Sequence, residues 1–325
     1  MQSIDVHPSR YPESLTRRMK ESLRRREMDH SFHYVSHRQA QRWLELHQKF
    51  SASRRDQECE AVYGRVFEQV ALTMRGQACQ VLGLGCGGGS KDARLIRLLS
   101  GHGFRVRYVA ADVSPSLVLG SMIRVQESAG LCVEDTRGLV ADFMEAAGLF
   151  LYWPENGSGE EVQIFSFLGM MPNFDPEQAL TLISDWMQPG DVLVLSANLA
   201  PGSDYRAGCE KILPQYDNIE TKSWLLTVME ELGVRVGVED VEVILAERDQ
   251  ILRVEAWLRF PESHRLDYDG ESFEFKRGEK FRLFYSNRFQ PVQMNHLLEK
   301  AGLRATQHWL TPSEEEGVWC VEKKS

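Results

Sequence analysis

Val81-Leu82-Gly83-Leu84-Gly85-Cys86-Gly87-Gly88-Gly89-Ser90-Lys91 places five glycines between a short apolar run and an amphipathic segment. The pattern predicts a strand feeding a glycine loop that opens a helix. Glycines at Gly83, Gly85 and Gly87 let the backbone turn tightly and leave no Cβ between main chain and ligand, and the free N–H groups of the next helix favour an anionic or polar group. A nucleotide-like cofactor is the first expectation. Its ribose hydroxyls call for an acid at the end of the following strand. Val106-Arg107-Tyr108-Val109-Ala110-Ala111-Asp112 supplies Asp112 about 25 residues on.

Gly83-x-Gly85-x-x-Gly88 also fits the dinucleotide fingerprint, so the loop alone does not choose between cofactors. Leu139-Val140-Ala141-Asp142-Phe143 ends a further short strand in a second acid. A class I methyltransferase sets such an acid against the adenine amino group and an apolar neighbour against the ring, a pairing that a nicotinamide enzyme does not need. Val162-Gln163-Ile164-Phe165-Ser166-Phe167-Leu168-Gly169 is another strand, and Met170-Met171-Pro172-Asn173-Phe174 follows it directly at the carboxyl edge of the sheet, where ligands bind in open α/β folds. S-adenosylmethionine is therefore the preferred cofactor. A nicotinamide-dependent oxidoreductase and a non-catalytic S-adenosylmethionine-binding protein are the alternatives.

The chain has 325 residues, 42% of them apolar, enough for one large domain or two modest ones. Its 38 basic and 47 acidic residues leave a net charge of −9, a sign that repels phosphate backbones and anionic lipid. A small-molecule substrate is expected, with neither nucleic acid nor membrane as partner; the oligomeric state is not legible. The basic run from Arg17 to Arg26 is read as a solvated helix face. The six cysteines, Cys59, Cys79, Cys86, Cys132, Cys209 and Cys320, form no C-x-x-C pair. With no apolar leader and no apolar run of membrane-spanning length, they predict a cytoplasmic protein. Cys86 is read as a small side chain that fits the loop.

Apolar spacing predicts helices through the first 75 residues, as in Arg38 to Phe50 and Ala61 to Met74. From Gly83 to Asn198 strands alternate with helical patterns, which means a parallel sheet with right-handed crossovers. Gly202 to Leu232 is helical again. From Val241 to Phe289 the period falls to two, with Asp269-Gly270 as a hairpin turn. The expected fold is α/β, a class I methyltransferase Rossmann-like sheet with a second, smaller α+β substrate domain. Residues 1–75 are assigned to N-terminal helices of the substrate domain or its lid, 76–200 and 290–325 to the Rossmann-like core, and 201–289 to an inserted substrate-binding domain.

The glycine loop through Lys91 resembles the histidine-specific methyltransferase family of the ergothioneine pathway. So do Asp112-Val113-Ser114, Asp142-Phe143, Phe167 to Phe174, Gln188-Pro189-Gly190-Asp191, Tyr216-Asp217-Asn218 and Gly278 to Ser286. The resemblance implies methylation of an α-amino nitrogen by S-adenosylmethionine. It implies cofactor contacts from Gly83, Gly85, Gly87, Lys91, Asp112, Asp142 and Phe143, with Lys91 near the methionyl carboxylate. Gly83 stands where the family carries an acid.

On the substrate side the resemblance assigns Asn173 and Tyr216 to the substrate's amino-acid backbone. Ser286 matches a family serine, whereas Phe284 takes the place of the acid that grips imidazole. A phenyl ring cannot accept a hydrogen bond from imidazole, so histidine is expected to be a poor substrate. Ala256 replaces a larger residue and is expected to add room. Tyr34 matches a tyrosine facing the amine and is the candidate catalytic residue, relaying the proton that the amine must lose before attack. His33 and His37, four apart, are read as an exposed helical pair rather than a metal site, and no metal is expected.

Overall fold

The computed structural model describes residues 3–50, 57–74, 76–129, 133–145 and 161–324; Cys132 lies outside them. The chain divides into two units, residues 1–9, 52–199 and 289–325 in one and residues 10–51 and 200–288 in the other.

The larger unit is built on eight strands: β1 Ser3–Val6, β2 Ala78–Leu84, β3 Arg105–Asp112, β4 Val133–Val140, β5 Val162–Phe167, β6 Val192–Asn198, β12 Leu303–Leu310 and β13 Glu316–Lys323. Their order is β1-β4-β3-β2-β5-β6-β13-β12. The first six are parallel, and β13 and β12 close the edge antiparallel. Parallel strands buried on both faces read as near-continuous apolar runs, which is what Val81, Leu82, Ile164, Phe165, Val192, Leu193 and Val194 provide. Strand order reverses between β2 and β5. The crevice at the carboxyl ends of those strands is the topological switch point, where such sheets bind ligands.

Two parts of the N-terminal expectation are corrected. Ser3–Val6 is a strand, paired in parallel with β4, not helix; four exposed alternating residues carry too little apolar signal to announce an edge strand. The helix Gln57–Thr73 packs on β13, β12 and the helix Ser90–Gly101. Its buried face, Cys59, Val62, Tyr63, Val66, Phe67 and Val70, is continuous with the core of the main sheet, so it belongs to the larger unit rather than grouping with the helices before it.

The smaller unit holds the helices Pro12–Arg25, His37–Phe50, Tyr205–Ile212 and Ile219–Glu231. Its strands are β7 Val241–Arg248, β8 Ile251–Arg259, β9 His264–Tyr268, β10 Glu271–Phe275 and β11 Lys280–Asn287. β11, β8 and β7 form a three-stranded antiparallel sheet, and β9 and β10 a hairpin. The hairpin turns at Asp269 and Gly270, both with positive φ (46° and 75°), the requirement that makes Asp-Gly a turn signal. Arg18, within the basic run, is buried and paired with Asp29 at 3.0 Å, while Arg24 meets Glu271, also at 3.0 Å. The run is thus a set of specific partners rather than a bare solvated face.

Candidate active site

At the end of β2 the backbone turns through Gly85, Gly87 and Gly89, whose φ angles are 67°, 50° and 68°. A Cβ on Gly89 would sit 2.8 Å from the Ser121 Cα, so the loop needs glycine for space as well as for conformation. Gly85 and Cys86 both donate to the Ala111 carbonyl, at 2.9 and 3.0 Å. Gly87 N–H then reaches Asp112 Oδ2 at 3.1 Å and Ser114 N–H reaches Oδ1 at 3.0 Å. A carboxylate has about four lone-pair sites. With one backbone donor on each oxygen, Asp112 is fixed in direction.

Gly83 is explained by its neighbours. A side chain there would collide with Asp92 Oδ2 and lie 2.9 Å from the Tyr108 hydroxyl. Asp92, the third residue of the helix Ser90–Gly101, thus turns its carboxylate into the space where an acid on the strand would have stood. It accepts from Ser166 Oγ at 2.6 Å and from Tyr108 at 2.7 Å, and Tyr108 is also 2.7 Å from Ser121 Oγ. Burial pushes Asp92 up to about 6, against those two hydrogen bonds and the Lys91 charge. The sequence signal was present in Ser90-Lys91-Asp92, but only the helix's first turn carries the acid back under β2.

At the end of β4, Asp142 accepts from Met144 N–H at 3.1 Å, and its own N–H donates to Ser9 Oγ at 3.1 Å. Phe143 packs with Phe174, Phe167 and Trp186, at centroid distances of 4.7, 5.4 and 6.4 Å. That is an acid beside an aromatic wall, which suits a purine with an exocyclic amine. Lys91 is engaged elsewhere: its Nζ donates to the Tyr63 hydroxyl at 2.6 Å and lies 3.6 Å from Glu316. A cofactor carboxylate would have to compete with that partner. Asn173 ends a short 3-10 turn, half-buried, just after β5.

In the smaller unit, Phe284 on β11 stands opposite Ala256 on β8. The ring of Phe284 and the small side chain of Ala256 therefore share one face of the sheet. Residues two apart on a strand share a face, so Ser286 lies beside Phe284. The Tyr216 ring stacks on Phe284 at 6.1 Å, and its hydroxyl is 3.2 Å from Ser286 Oγ and accepts from Arg288 Nη2. Trp224 completes the wall, 5.9 Å from Phe284 and 5.7 Å from Tyr34, which also meets Trp43 at 5.8 Å.

His33 and His37 are not an exposed pair. His33 closes the 3-10 helix His30–His33 and is fully buried, its Nε2 donating to the Leu283 carbonyl at 2.7 Å, while His37 opens the next helix. The Leu283 carbonyl is available because the register of β11 slips between Arg282 and Phe284, and a bulge frees a ladder group. His30 lies edge-on to Phe284 and Tyr285, and neither of its buried ring nitrogens has a hydrogen-bond partner. Sequence reasoning missed His30, Asp92, Trp224 and Arg288. Arg288 alone had a signal, lying two residues beyond Ser286 in the period-two pattern.

The glycine loop, the doubly anchored Asp112 and the Asp142-Phe143 pair at the switch point fit an adenosyl cofactor, and they define the class: a class I S-adenosylmethionine-dependent methyltransferase. The chain belongs to the histidine-specific, S-adenosylmethionine-dependent methyltransferase family, whose sequence pattern matches residues 56–323. It is similar to the histidine N-alpha-methyltransferase of Mycolicibacterium smegmatis, 24% identical over 244 residues that cover 72% of each chain. It is also similar to the N-methyltransferase imqF of Aspergillus flavus, 23% identical over 260 residues, which are 74% of this chain and 66% of that one. Among solved structures it is similar to the 1,6-didemethyltoxoflavin-N1-methyltransferase of Burkholderia thailandensis, with a TM-score of 0.42 and 13% identity over 88% of both chains.

Replacing Asp112 by Ala removes the acceptor of the Gly87 and Ser114 N–H groups, and with it the carboxylate expected to meet the ribose hydroxyls. Isothermal titration with S-adenosylhomocysteine should show affinity falling at least tenfold, the loss of roughly 1.5–3 kcal/mol expected for hydrogen bonds to a charged group; an unchanged affinity would remove Asp112 from the site.

The buried histidines make the smaller unit acid-sensitive. Burial pulls His30 down to about 3, with the His33 charge adding to the effect. It pulls His33 down to about 4, against its hydrogen bond to Leu283. In the unfolded chain each takes up a proton near 6.5. Between those values the unfolded state binds more protons, so stability falls as pH drops, by about 1.4 kcal/mol per pH unit for each histidine. His30→Phe should flatten the decline between pH 6.5 and 4 by about one proton's worth, measured by urea unfolding across that range; an unchanged slope would mean that His30 is already charged in the fold.

Proposed function

We propose that the protein transfers the methyl group of S-adenosylmethionine to the amine nitrogen of a small amino-acid-like acceptor other than histidine. The observation that carries this reading is Phe284. It is buried in a wall of Tyr216, Trp224 and His30 at the position where the resemblance puts an imidazole-gripping acid. An aromatic or aliphatic side chain gains by burial there, whereas an imidazole would lose its polar partner without replacement. The net charge of −9 speaks for a small substrate rather than nucleic acid. Action in the cytoplasm is proposed from the scatter of the six cysteines in the sequence, which form no C-x-x-C pair. Among the described residues no helix is long and apolar enough to cross a membrane.

The cofactor supplies an electrophilic methyl on a sulfonium. Asp112 is assigned to the ribose hydroxyls, Asp142 to the adenine amine and Phe143 to the adenine face. Displacement forms the N–C bond as the S–CH3 bond breaks, and it requires a neutral amine with its lone pair in line. Holding that geometry supplies about 7–11 kcal/mol in well-oriented systems. The acceptor amine, near pKa 8 in water, must shed one proton first. Apolar surroundings such as Tyr34, Trp43 and Trp224 disfavour the ammonium and so assist that loss. Tyr34 is proposed as the group that relays it, and Asn173 and Tyr216 as donors to the acceptor's backbone.

A panel of free amino acids and their amines, assayed for methyl transfer by mass spectrometry, should rank histidine at least tenfold below the best acceptor; rapid trimethylation of histidine would overturn the assignment of Phe284. Asn173→Ala should lower kcat/KM for the best acceptor by about 1–3 kcal/mol, chiefly through KM. S-adenosylhomocysteine affinity should stay within twofold. An equal loss of cofactor affinity would place Asn173 in the adenosyl site instead.

A further inference from the structure

Three buried arginines of the smaller unit have carboxylate partners: Arg18 with Asp29, Arg253 with Glu255, and Arg282 with Glu255 and Glu27. Arg288 does not. It is only 3% exposed. Its Nη2 donates to the Tyr216 hydroxyl, its Nε is buried without a partner, and no carboxylate of the described residues pairs with it. Its guanidinium carbon lies 5.1 Å from the centre of the Tyr216 ring. The backbone is clamped on both sides: Arg288 N–H donates to the Leu252 carbonyl at 2.8 Å, and its carbonyl accepts from the Tyr205 hydroxyl at 2.7 Å.

A guanidinium is always protonated and has five donors and no acceptor. Burying one without an anion is strongly unfavourable, and a fold that keeps it there usually has something anionic to complete it. Arg288 also sets the role of its neighbour. Because Tyr216 oxygen accepts from Nη2, the phenolic proton is left to donate, either to Ser286 or to a ligand. Phe284 and Ser286 share one face of β11, and Arg288 follows just past the end of the strand, tied to the same group by its bond to Tyr216, so an apolar wall, a hydroxyl and a cation lie together.

We infer that Arg288, acting with the Tyr216 hydroxyl, receives the carboxylate of the acceptor. The substrate class is thereby narrowed to amino acids that keep a free carboxylate, excluding their decarboxylated amines. One planar cation beside one hydroxyl donor matches a single carboxylate, which accepts through two oxygens in the plane of the fork. The inference rests on the reading of the acceptor as an amine-bearing small molecule and adds to it the group by which that molecule is held.

The test uses pairs of probes that differ only by the carboxylate, L-phenylalanine against phenethylamine and L-tyrosine against tyramine. Each is titrated calorimetrically into the whole protein with S-adenosylhomocysteine present and, separately, assayed for methyl transfer with S-adenosylmethionine. The wild type should bind the acids at least tenfold more tightly than the amines. Arg288→Met should bring that ratio to within twofold by weakening the acids alone, with little change in melting temperature because an unpaired buried charge is removed. Arg288→Lys, which keeps the charge but not the fork, should retain an intermediate ratio and guards against a folding defect in the first variant. A ratio that Arg288→Met leaves unchanged, a wild-type preference for the amines, or no binding of any probe would overturn the assignment. Methylation of the amines but not the acids would overturn it while leaving amine methylation standing. Arg288-dependent binding of the acids without methylation of any probe would support the anion site and remove the proposed reaction.

Discussion

Three consecutive N–H groups of the glycine loop and one beyond β3 tie the carboxyl ends of two strands together. Gly85 and Cys86 share the Ala111 carbonyl, Gly87 takes one oxygen of Asp112, and Ser114 takes the other. This junction fixes the loop and the carboxylate beside the place where the strand order reverses, between β2 and β5. A carboxylate held by two backbone donors is restrained in direction. Pre-organisation of this kind reduces the ordering that binding would otherwise demand.

Beneath the loop the same economy of space explains the missing acid at Gly83. A strand residue and a helix residue cannot both place a carboxylate there, and Asp92 from the helix occupies it. Its hydrogen bonds to Tyr108 and Ser166 join the helix to β3 and β5. One carboxylate from the helix thus fills the space beside Gly83, which leaves no room there for a side chain on the strand.

The smaller unit is organised around polarity that burial has made specific. On β8 and β11, Arg253, Glu255 and Arg282 form a buried ion network, while Phe284, Ser286, Tyr216 and Arg288 mix ring faces with two hydroxyls and a cation. Buried ionic groups contribute little net stability when fully paired and cost several kcal/mol when not. The bulge at Leu283 belongs to the same device, because it frees the carbonyl that fixes His33, while burial keeps that ring neutral.

Local sequence determined the central elements because each carries its own signal. Glycine is the only residue that takes positive φ freely, Asp112 and Asp142 end apolar runs, and the alternation of period two and period 3.6 separates the sheet of the smaller unit from the helices around it. The family resemblance likewise needed only residue order and spacing. Contacts between residues far apart in the chain were decided by the tertiary structure. Ser3–Val6 became an edge strand by pairing with β4, and Gln57–Thr73 joined the main core because its apolar face matched β13. His33 turned inward once a bulge 250 residues away offered it a carbonyl. Arg288 shows the limit most clearly: a chain pattern can place an arginine just past the end of a strand, but whether its charge finds a carboxylate depends on every neighbour that the fold brings to it.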